Sequence, residues 1–241
     1  MNDEVRGWIG SARRIAVLTG AGMSAESGVP TFRDALTGLW AKFDPAQLAT
    51  EEAFRANPAL VWNWYASRRE AIAKVEPNAG HRALADFQQR HPGRLTLVTQ
   101  NVDGLHQRAG STGVLALHGN IAADSWLDLP RNCCREDDVQ AGTPPSCSVC
   151  GNLRRPAVVW FGEALPPAAL GAAQNAAAHC DLMLVVGTSG VVYPAAGLAR
   201  RAPGKVVIVN TGPTDLDEVA DAVLRAPAAQ LLPQLLAATA R

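Results

Sequence analysis

The chain has 241 residues, 48% of them apolar, with 22 basic and 22 acidic side chains and a formal net charge of zero. That length suits one large core, or one core carrying a smaller inserted module, and the scattered, balanced charge excludes the basic surface that direct nucleic-acid binding needs. The first fourteen residues, MNDEVRGWIGSARR, hold early acids and no apolar signal core, and no apolar run reaches bilayer length; a cytoplasmic protein without membrane attachment is expected.

In chain order, a first β-branched run, IAVLT at 15–19, opens into GAGMSAESGVPTFRD at 20–34. Residues 34–77 are helical in pattern and carry Trp40, Phe43, Trp62 and Trp64. A helix is predicted at 80–90, then strands LTLVT at 95–99 and VLAL at 114–117. Residues 119–156 are polar, proline-rich and cysteine-bearing. A helix at 166–179, strand LMLVV at 182–186, helix at 195–201 and strand VVIV at 206–209 follow. Fully apolar strands alternating with helices predict an α/β fold, a doubly wound parallel Rossmann-like sheet buried on both faces. Segments 14–33, 78–118 and 157–241 supply it, and 34–77 with 119–156 form a smaller inserted domain.

Gly20, Ala21 and Gly22 make a glycine-rich turn directly after the first strand, where backbone can approach a pyrophosphate and a following helix N-terminus favours its charge. A tight turn capped by Ser24 explains the same glycines without a ligand. A dehydrogenase fingerprint also needs a ribose-binding carboxylate about 20 residues on, at the end of a second strand; here that region reads GLWAKFD. Instead, small polar groups follow the other strands: Gln100, Asn101 and Asp103; His118; Gly187, Thr188 and Ser189; Asn210. Each could be a helix cap or a satisfied strand-end residue. Together, on the edge where open parallel sheets bind ligands, they point to a nucleotide site.

These segments resemble the sirtuins. The motifs GAGMSAESGVPTFR, TQNVDGLH, HG, WFGE, GTSGVVYPA and a late asparagine occur in the family's order. The resemblance implies an NAD-dependent protein-lysine deacylase of the bacterial class III type. In it the acyl-lysine amide oxygen attacks the nicotinamide ribose, nicotinamide leaves, and O-acyl-ADP-ribose is the product. It further implies His118 as general base, a role matched to an imidazole pKa of about 6.5. Asn101 would lie by the ribose and Asp103 by the nicotinamide carboxamide. Phe32 would shield the reacting face, with Ser24 and Arg33 near the diphosphate. Gln100 and Asn210 would meet ribose hydroxyls, Ser189 the adenosine side and Ala228 the adenine. The acyl-lysine peptide, the implied substrate partner, would add as a strand at Val159, Phe161 and Gly162, with Val159 accepting from the lysine N–H; the alternative for 158–161 is a plain buried strand.

Cys147 and Cys150 match the second of the family's two CxxC pairs. Where the first belongs, the chain reads DSWLDLP, and the remaining candidates are the adjacent Cys133 and Cys134. Two outcomes stand open: a structural zinc on Cys133, Cys134, Cys147 and Cys150, or a shortened metal-free loop pinned by Trp126 and Leu129. Cys180 is expected as a core thiol. His81, His91, His106 and His179 are assigned no chemistry.

Tyr65 and Arg68 are three apart and share a helix face. The stretch NPALVWNWYASRRE resembles the YxxR helix of class III sirtuins, whose tyrosine and arginine bind succinyl and malonyl carboxylates, and Ala49 matches the small residue that makes room for them. An amphipathic helix with an exposed arginine is the plain alternative. The competing activities are mono-ADP-ribosyl transfer from the same NAD pocket and a catalytically silent NAD-binding scaffold; oligomeric state is left open.

Overall fold

The computed structural model describes residues 2–30 and 44–237. Phe32, Arg33, Trp40 and Phe43 lie outside the described residues. In chain order the elements are α1 (Asn2–Ser11), β1 (Ile15–Thr19), α2 (Pro45–Leu48), α3 (Glu51–Ala56), α4 (Pro58–Ala73), α5 (Ala79–Arg90), β2 (Leu95–Thr99), α6 (Leu105–Arg108), β3 (Leu115–Ala116), β4 (Gly119–Trp126), β5 (Val139–Gln140), β6 (Ser146–Cys147), β7 (Arg154–Val158), α7 (Pro167–His179), β8 (Leu182–Val186), β9 (Lys205–Val209), β10 (Ala222–Leu224) and α8 (Ala228–Leu236). The chain divides into two compact units, residues 1–31, 75–118 and 165–241 in one and 32–74 and 119–164 in the other.

The first unit holds a six-stranded sheet in the order β10-β9-β8-β1-β2-β3. Every strand pair in it is parallel. Its register sorts the apolar runs by face. Ile15 lies beside Leu95 and Leu182, Val17 beside Leu97 and Leu184, and Val186 beside Val209. All of these join one cluster with Val5 and Ile9 of α1, Leu84 and Phe87 of α5, and Leu231, Leu232 and Leu235 of α8. The alternate residues Ala16, Leu18, Met183, Val185, Val206 and Ile208 are just as buried on the other face, as a sheet covered on both sides requires. Two expected elements differ: 195–201 is a 3₁₀ helix, and β3 has two residues because the chain turns at His118. The short strand β10 carries too little apolar sequence to be foreseen.

The second unit packs α3 and α4 with the antiparallel pair β4 and β7. Thr50 caps α3 by accepting from Ala53 N–H, and Asn57 caps α4 by accepting from Leu60 N–H, with Pro58 at its first turn, each a local signal for a helix start. Trp64, Phe54, Val61, Ile121 and Trp160 are fully enclosed. The register of β4 against β7 slips between Asn120 and Asp124, and Arg69 of α4 serves that bulge. Its guanidinium donates to the carbonyls of Ile121 and Ala123, pairs with Asp124 at 2.6 Å, and stacks over Trp62. Among the described residues no helix is long and apolar enough to cross a membrane. Arg69→Met keeps the stem but strands the bulge carbonyls and Asp124, and should cost about 2 kcal/mol, the scale of hydrogen bonds to a charged group; urea denaturation checks this.

Candidate active site

Parallel strands bring the polar loops of the first unit to one sheet edge. The chain leaves β1 toward β2 and leaves β8 toward β9, so β1 and β8 flank the switch point where open α/β sheets bind ligands. Two loops meet there backbone to backbone. Gly20 N–H donates to Val186 O at 2.9 Å and Gly22 N–H to Gly187 O at 2.8 Å. A Cβ on Gly20 would lie 2.7 Å from Thr188 Cβ, one on Gly22 2.8 Å from Gly187 Cα, and one on Gly187, whose φ is +61°, 2.2 Å from Met23 N. These glycines are thus fixed by close packing of the loops. The helix dipole expected behind the turn is absent from the described residues: two single 3₁₀ turns, Ala21–Met23 and Ala25–Ser27, follow instead, too short for an appreciable macrodipole.

Beneath the loop lies a buried polar network. Ser24 Oγ donates to Asp103 Oδ2 at 2.7 Å and accepts from Asn101 Nδ2 at 3.1 Å. Asn101 Nδ2 also donates to Gly20 O, and Asp103 Oδ1 accepts from Leu105 N–H at 2.9 Å. Burial lifts the Asp103 carboxyl above its usual range, opposed by the Leu105 and Ser24 donors and by Arg108. His81 Nδ1 accepts from Asn78 N–H, so its Nε2 carries the hydrogen that faces Ser24 Oγ at 3.4 Å. Burial pushes this imidazole down to about 4 and the neighbouring His106 down to about 3, so both are neutral. Thr19 Oγ donates to Thr99 Oγ at 2.8 Å and accepts from His106 Nε2 at 2.9 Å, and Thr99 Oγ accepts from Asn101 N–H. His81 and His106 are packed histidines, and Cys180 is buried as expected.

His118 follows β3 and is half-buried. Its Nδ1 lies 2.8 Å from the carbonyl of Gln100; a carbonyl only accepts, so Nδ1 bears the hydrogen and Nε2 the lone pair. Burial lowers the imidazole pKa, with the Gln100 carbonyl opposing. The result is a neutral ring in a fixed tautomer with one basic nitrogen. Gln100 also donates from Nε2 to Thr188 Oγ at 3.1 Å, which joins the loops after β2 and β8. Asn210 donates from its side chain to Gly212 O and from its backbone N–H to Leu224 O, Ser189 O accepts from Asp215 N–H, and Ala228 opens α8 beside Gly80. Sequence reasoning missed Glu26, whose Oε2 accepts from Ala229 N–H at 2.7 Å and caps α8. A carboxylate inside a glycine loop was its one signal.

In the second unit, Tyr65 and Arg68 do share a face of α4. The Tyr65 ring packs edge-on against Trp64 at 4.6 Å, and the Arg68 guanidinium stacks over Trp64, 5.0 Å from its centroid. Burial raises the Tyr65 phenol to about 12, Arg68 opposing, and lowers the Arg68 guanidinium; arginine stays cationic all the same. The exposed arginine of the plain alternative is therefore not what this helix carries. Ala49 is buried, and its carbonyl accepts from Phe161 N–H at 2.9 Å. The buried-strand alternative for 158–161 fails too: β7 ends at Val158, Trp160 turns inward and Phe161 is 52% exposed. Gly162, at φ +88°, makes the turn that follows. Arg155 and Glu163, unforeseen, hold this stretch: Glu163 pairs with both Nη atoms of Arg155 and accepts from Trp160 N–H at 2.7 Å.

The four cysteines of this unit converge. The sulfurs of Cys133, Cys134, Cys147 and Cys150 all lie within 4.8 Å of one another. Arg131 N–H and Asn152 Nδ2 donate to Cys134 Sγ, and backbone N–H groups of Cys150 and Val149 lower the Cys147 thiol. Four sulfurs so crowded, with donors aimed at them, fit a dication with soft tetrahedral preference, and zinc in particular. Leu129, expected to pin a metal-free loop, is 91% exposed, and Trp126 stacks under Arg154 instead, so apolar packing does not hold the segment.

The Sir2 family pattern matches residues 20–194. The chain is 55% identical over 240 residues to the NAD-dependent protein deacylase of Ralstonia nicotianae, covering 97% of this chain and 95% of that one. The chain belongs to the Sir2 family. Among solved structures, a mutant Sir2 homologue in complex with 2′-O-acetyl ADP-ribose is similar, with a TM-score of 0.86 at 40% identity over 98% of this chain and 95% of that one. A Sir2 complex with a p53 peptide and NAD+ gives a TM-score of 0.83 at 31% identity, covering 98% and 97%. This Sir2 member has a four-sulfur cluster that includes the vicinal pair Cys133 and Cys134. Purified protein should contain about one equivalent of zinc by elemental analysis, and chelation should lower its melting temperature; metal-free protein of equal stability would remove the four cysteines as ligands.

Proposed function

We infer that this Sir2 protein is an NAD-dependent protein-lysine deacylase that removes succinyl and malonyl as well as acetyl groups. Acyl-lysine peptides are its substrates, and NAD is consumed with them, giving nicotinamide and acyl-ADP-ribose. The observation that carries the reading is His118: a neutral imidazole, its tautomer set by the Gln100 carbonyl, with Nε2 left as a base. When NAD is bound, its ribose supplies the hydroxyl that takes the acyl group. His118 Nε2 accepts the proton of that hydroxyl, and the Gln100 carbonyl steadies the imidazolium that forms.

The remaining residues bind and orient. Asn101 and Asp103, locked through Ser24, present fixed polar groups for the ribose and carboxamide. Gly20, Ala21 and Gly22 let NAD approach the backbone closely, while Thr188, Ser189, Asn210 and Ala228 serve the adenosine half. The resemblance gives Phe32 the role of shielding the reacting face and Arg33 that of meeting the diphosphate; both lie outside the described residues. For the peptide, Val159, Phe161 and Gly162 offer backbone, with Val159 O the acceptor for the lysine N–H. For the acyl group, Ala49 leaves space and Tyr65 and Arg68 read the terminal carboxylate. A sheltered guanidinium meets a carboxylate with less competition from water than an exposed one.

His118→Ala should lower deacylation by about 10² to 10⁴-fold while NAD affinity holds. Only neutral His118 is a base, and burial depresses its pKa, so the acid limb of kcat/KM should fall below about pH 6.5, the ordinary imidazole value; the limb should vanish in the alanine variant. Arg68→Met should cost acidic acyl substrates about 1.5 to 3 kcal/mol in kcat/KM and leave the acetyl reaction far less affected. Paired assays on succinyl-, malonyl- and acetyl-lysine peptides check it, and an equal loss on all three would return Arg68 to a structural role.

A further inference from the structure

The phenol of Tyr65 has a partner inside the protein. Trp160 Nε1–H donates to Tyr65 Oη at 3.1 Å, both groups being buried. An indole N–H only donates, so at this bond the tyrosine oxygen can only accept. One lone pair of the hydroxyl is thereby filled and its hydrogen is left to donate elsewhere. A phenol raised to about 12 keeps that hydrogen across the physiological range. We propose that Trp160 is a specificity-positioning residue: its indole N–H turns the Tyr65 hydroxyl into a committed donor for the carboxylate of an acidic acyl group.

Trp160 is held firmly enough to do this. Phe54 packs against one side of the indole with centroids 5.2 Å apart, and the Arg155 guanidinium lies 3.4 Å from the ring centroid. Glu163 pairs with Arg155 and accepts from Trp160 N–H, so one carboxylate anchors both the stacked cation and the tryptophan backbone. Arg155 also donates to Val158 O at 2.8 Å. The chain of fixed contacts thus runs from the Arg155–Glu163 pair through Trp160 to the hydroxyl of Tyr65. A phenylalanine at 160 would fill most of the same space and leave the Tyr65 hydroxyl without its donor, free to rotate and to point its own hydrogen away from a ligand. An acetyl group has no carboxylate to lose, so the effect of the indole N–H is confined to acidic acyl chains.

This inference rests on the acidic-acyl reading of Tyr65 and Arg68, and the test separates the two. The measured quantity is the ratio of kcat/KM for succinyl- over acetyl-lysine peptides, with NAD saturating, in wild type, Trp160→Phe, Tyr65→Phe, the double variant and Arg68→Met. Trp160→Phe should lower the ratio on the order of fivefold, the scale of one neutral hydrogen bond, and should lower it no further when Tyr65 is already Phe. An unchanged ratio in Trp160→Phe overturns the proposal, as does an independent loss that adds to that of Tyr65→Phe. If Arg68→Met shows an acyl-selective loss while Trp160→Phe shows none, the orientation step falls and the acidic-acyl reading stands. If neither shifts the ratio, both fall. Should Trp160→Phe fail to fold, benzothienylalanine at position 160 removes the N–H while keeping the shape of the indole, and the same ratio decides.

Discussion

Backbone packs on backbone where the loop after β1 meets the loop after β8. Three glycines, two in one loop and one in the other, come so close that a single methyl group on any of them would collide with main-chain or fixed side-chain atoms. Two hydrogen bonds tie the loops there, and everything at that edge is measured from this seam. Asn101 donates to Gly20 O, Ser24 sits under the same turn, and Gln100 reaches Thr188 just past Gly187. Since Gln100 also fixes His118 through its carbonyl, one residue's side chain and main chain connect the glycine seam to that imidazole. Among the described residues, close-packed backbone rather than a helix dipole characterises this edge.

The second unit is small, and it solves a different problem. It lacks the area for a large apolar core, and it leans on arginines stacked over tryptophans. Arg68 lies over Trp64, Arg69 over Trp62, Arg154 over Trp126 and Arg155 over Trp160. In each of the last three the guanidinium also pairs with a carboxylate: Asp124, Glu136 and Glu163. A planar cation covers an aromatic face with its flat side while its edge keeps five hydrogens for bonding. Such pairs pin a bulge, a cysteine module and the turn at Gly162 without needing a deep interior.

What could be read from the sequence follows from how local each signal is. The strands β1, β2, β8 and β9 were legible because a doubly buried strand is an uninterrupted apolar run, and the gathering of polar loops at one sheet edge was legible because each run ends in small polar residues. The tautomer of His118 was not, since it depends on a carbonyl 18 residues away in sequence. Glu26 was missed for the same reason: its partner, Ala229, is 203 residues distant. Arg155, Glu163 and Trp160 form a cluster whose bonds no periodicity announces. The cysteine count pointed to a metal, yet whether two adjacent cysteines could reach one center was a question of backbone geometry that spacing alone left open.

The central position of β1 has a consequence for how the chain folds. One flank of β1 pairs with β2, made from residues 95–99, but the other pairs with β8 at 182–186, late in the chain. While the chain is being synthesised, an entirely apolar strand keeps one hydrogen-bonding edge open until most of the protein has emerged. Parallel pairing over such separations is slow, and an open apolar edge invites pairing with other chains. The central place of β1 in the sheet therefore leaves the nascent chain with an unpaired apolar edge during the interval before β8 arrives.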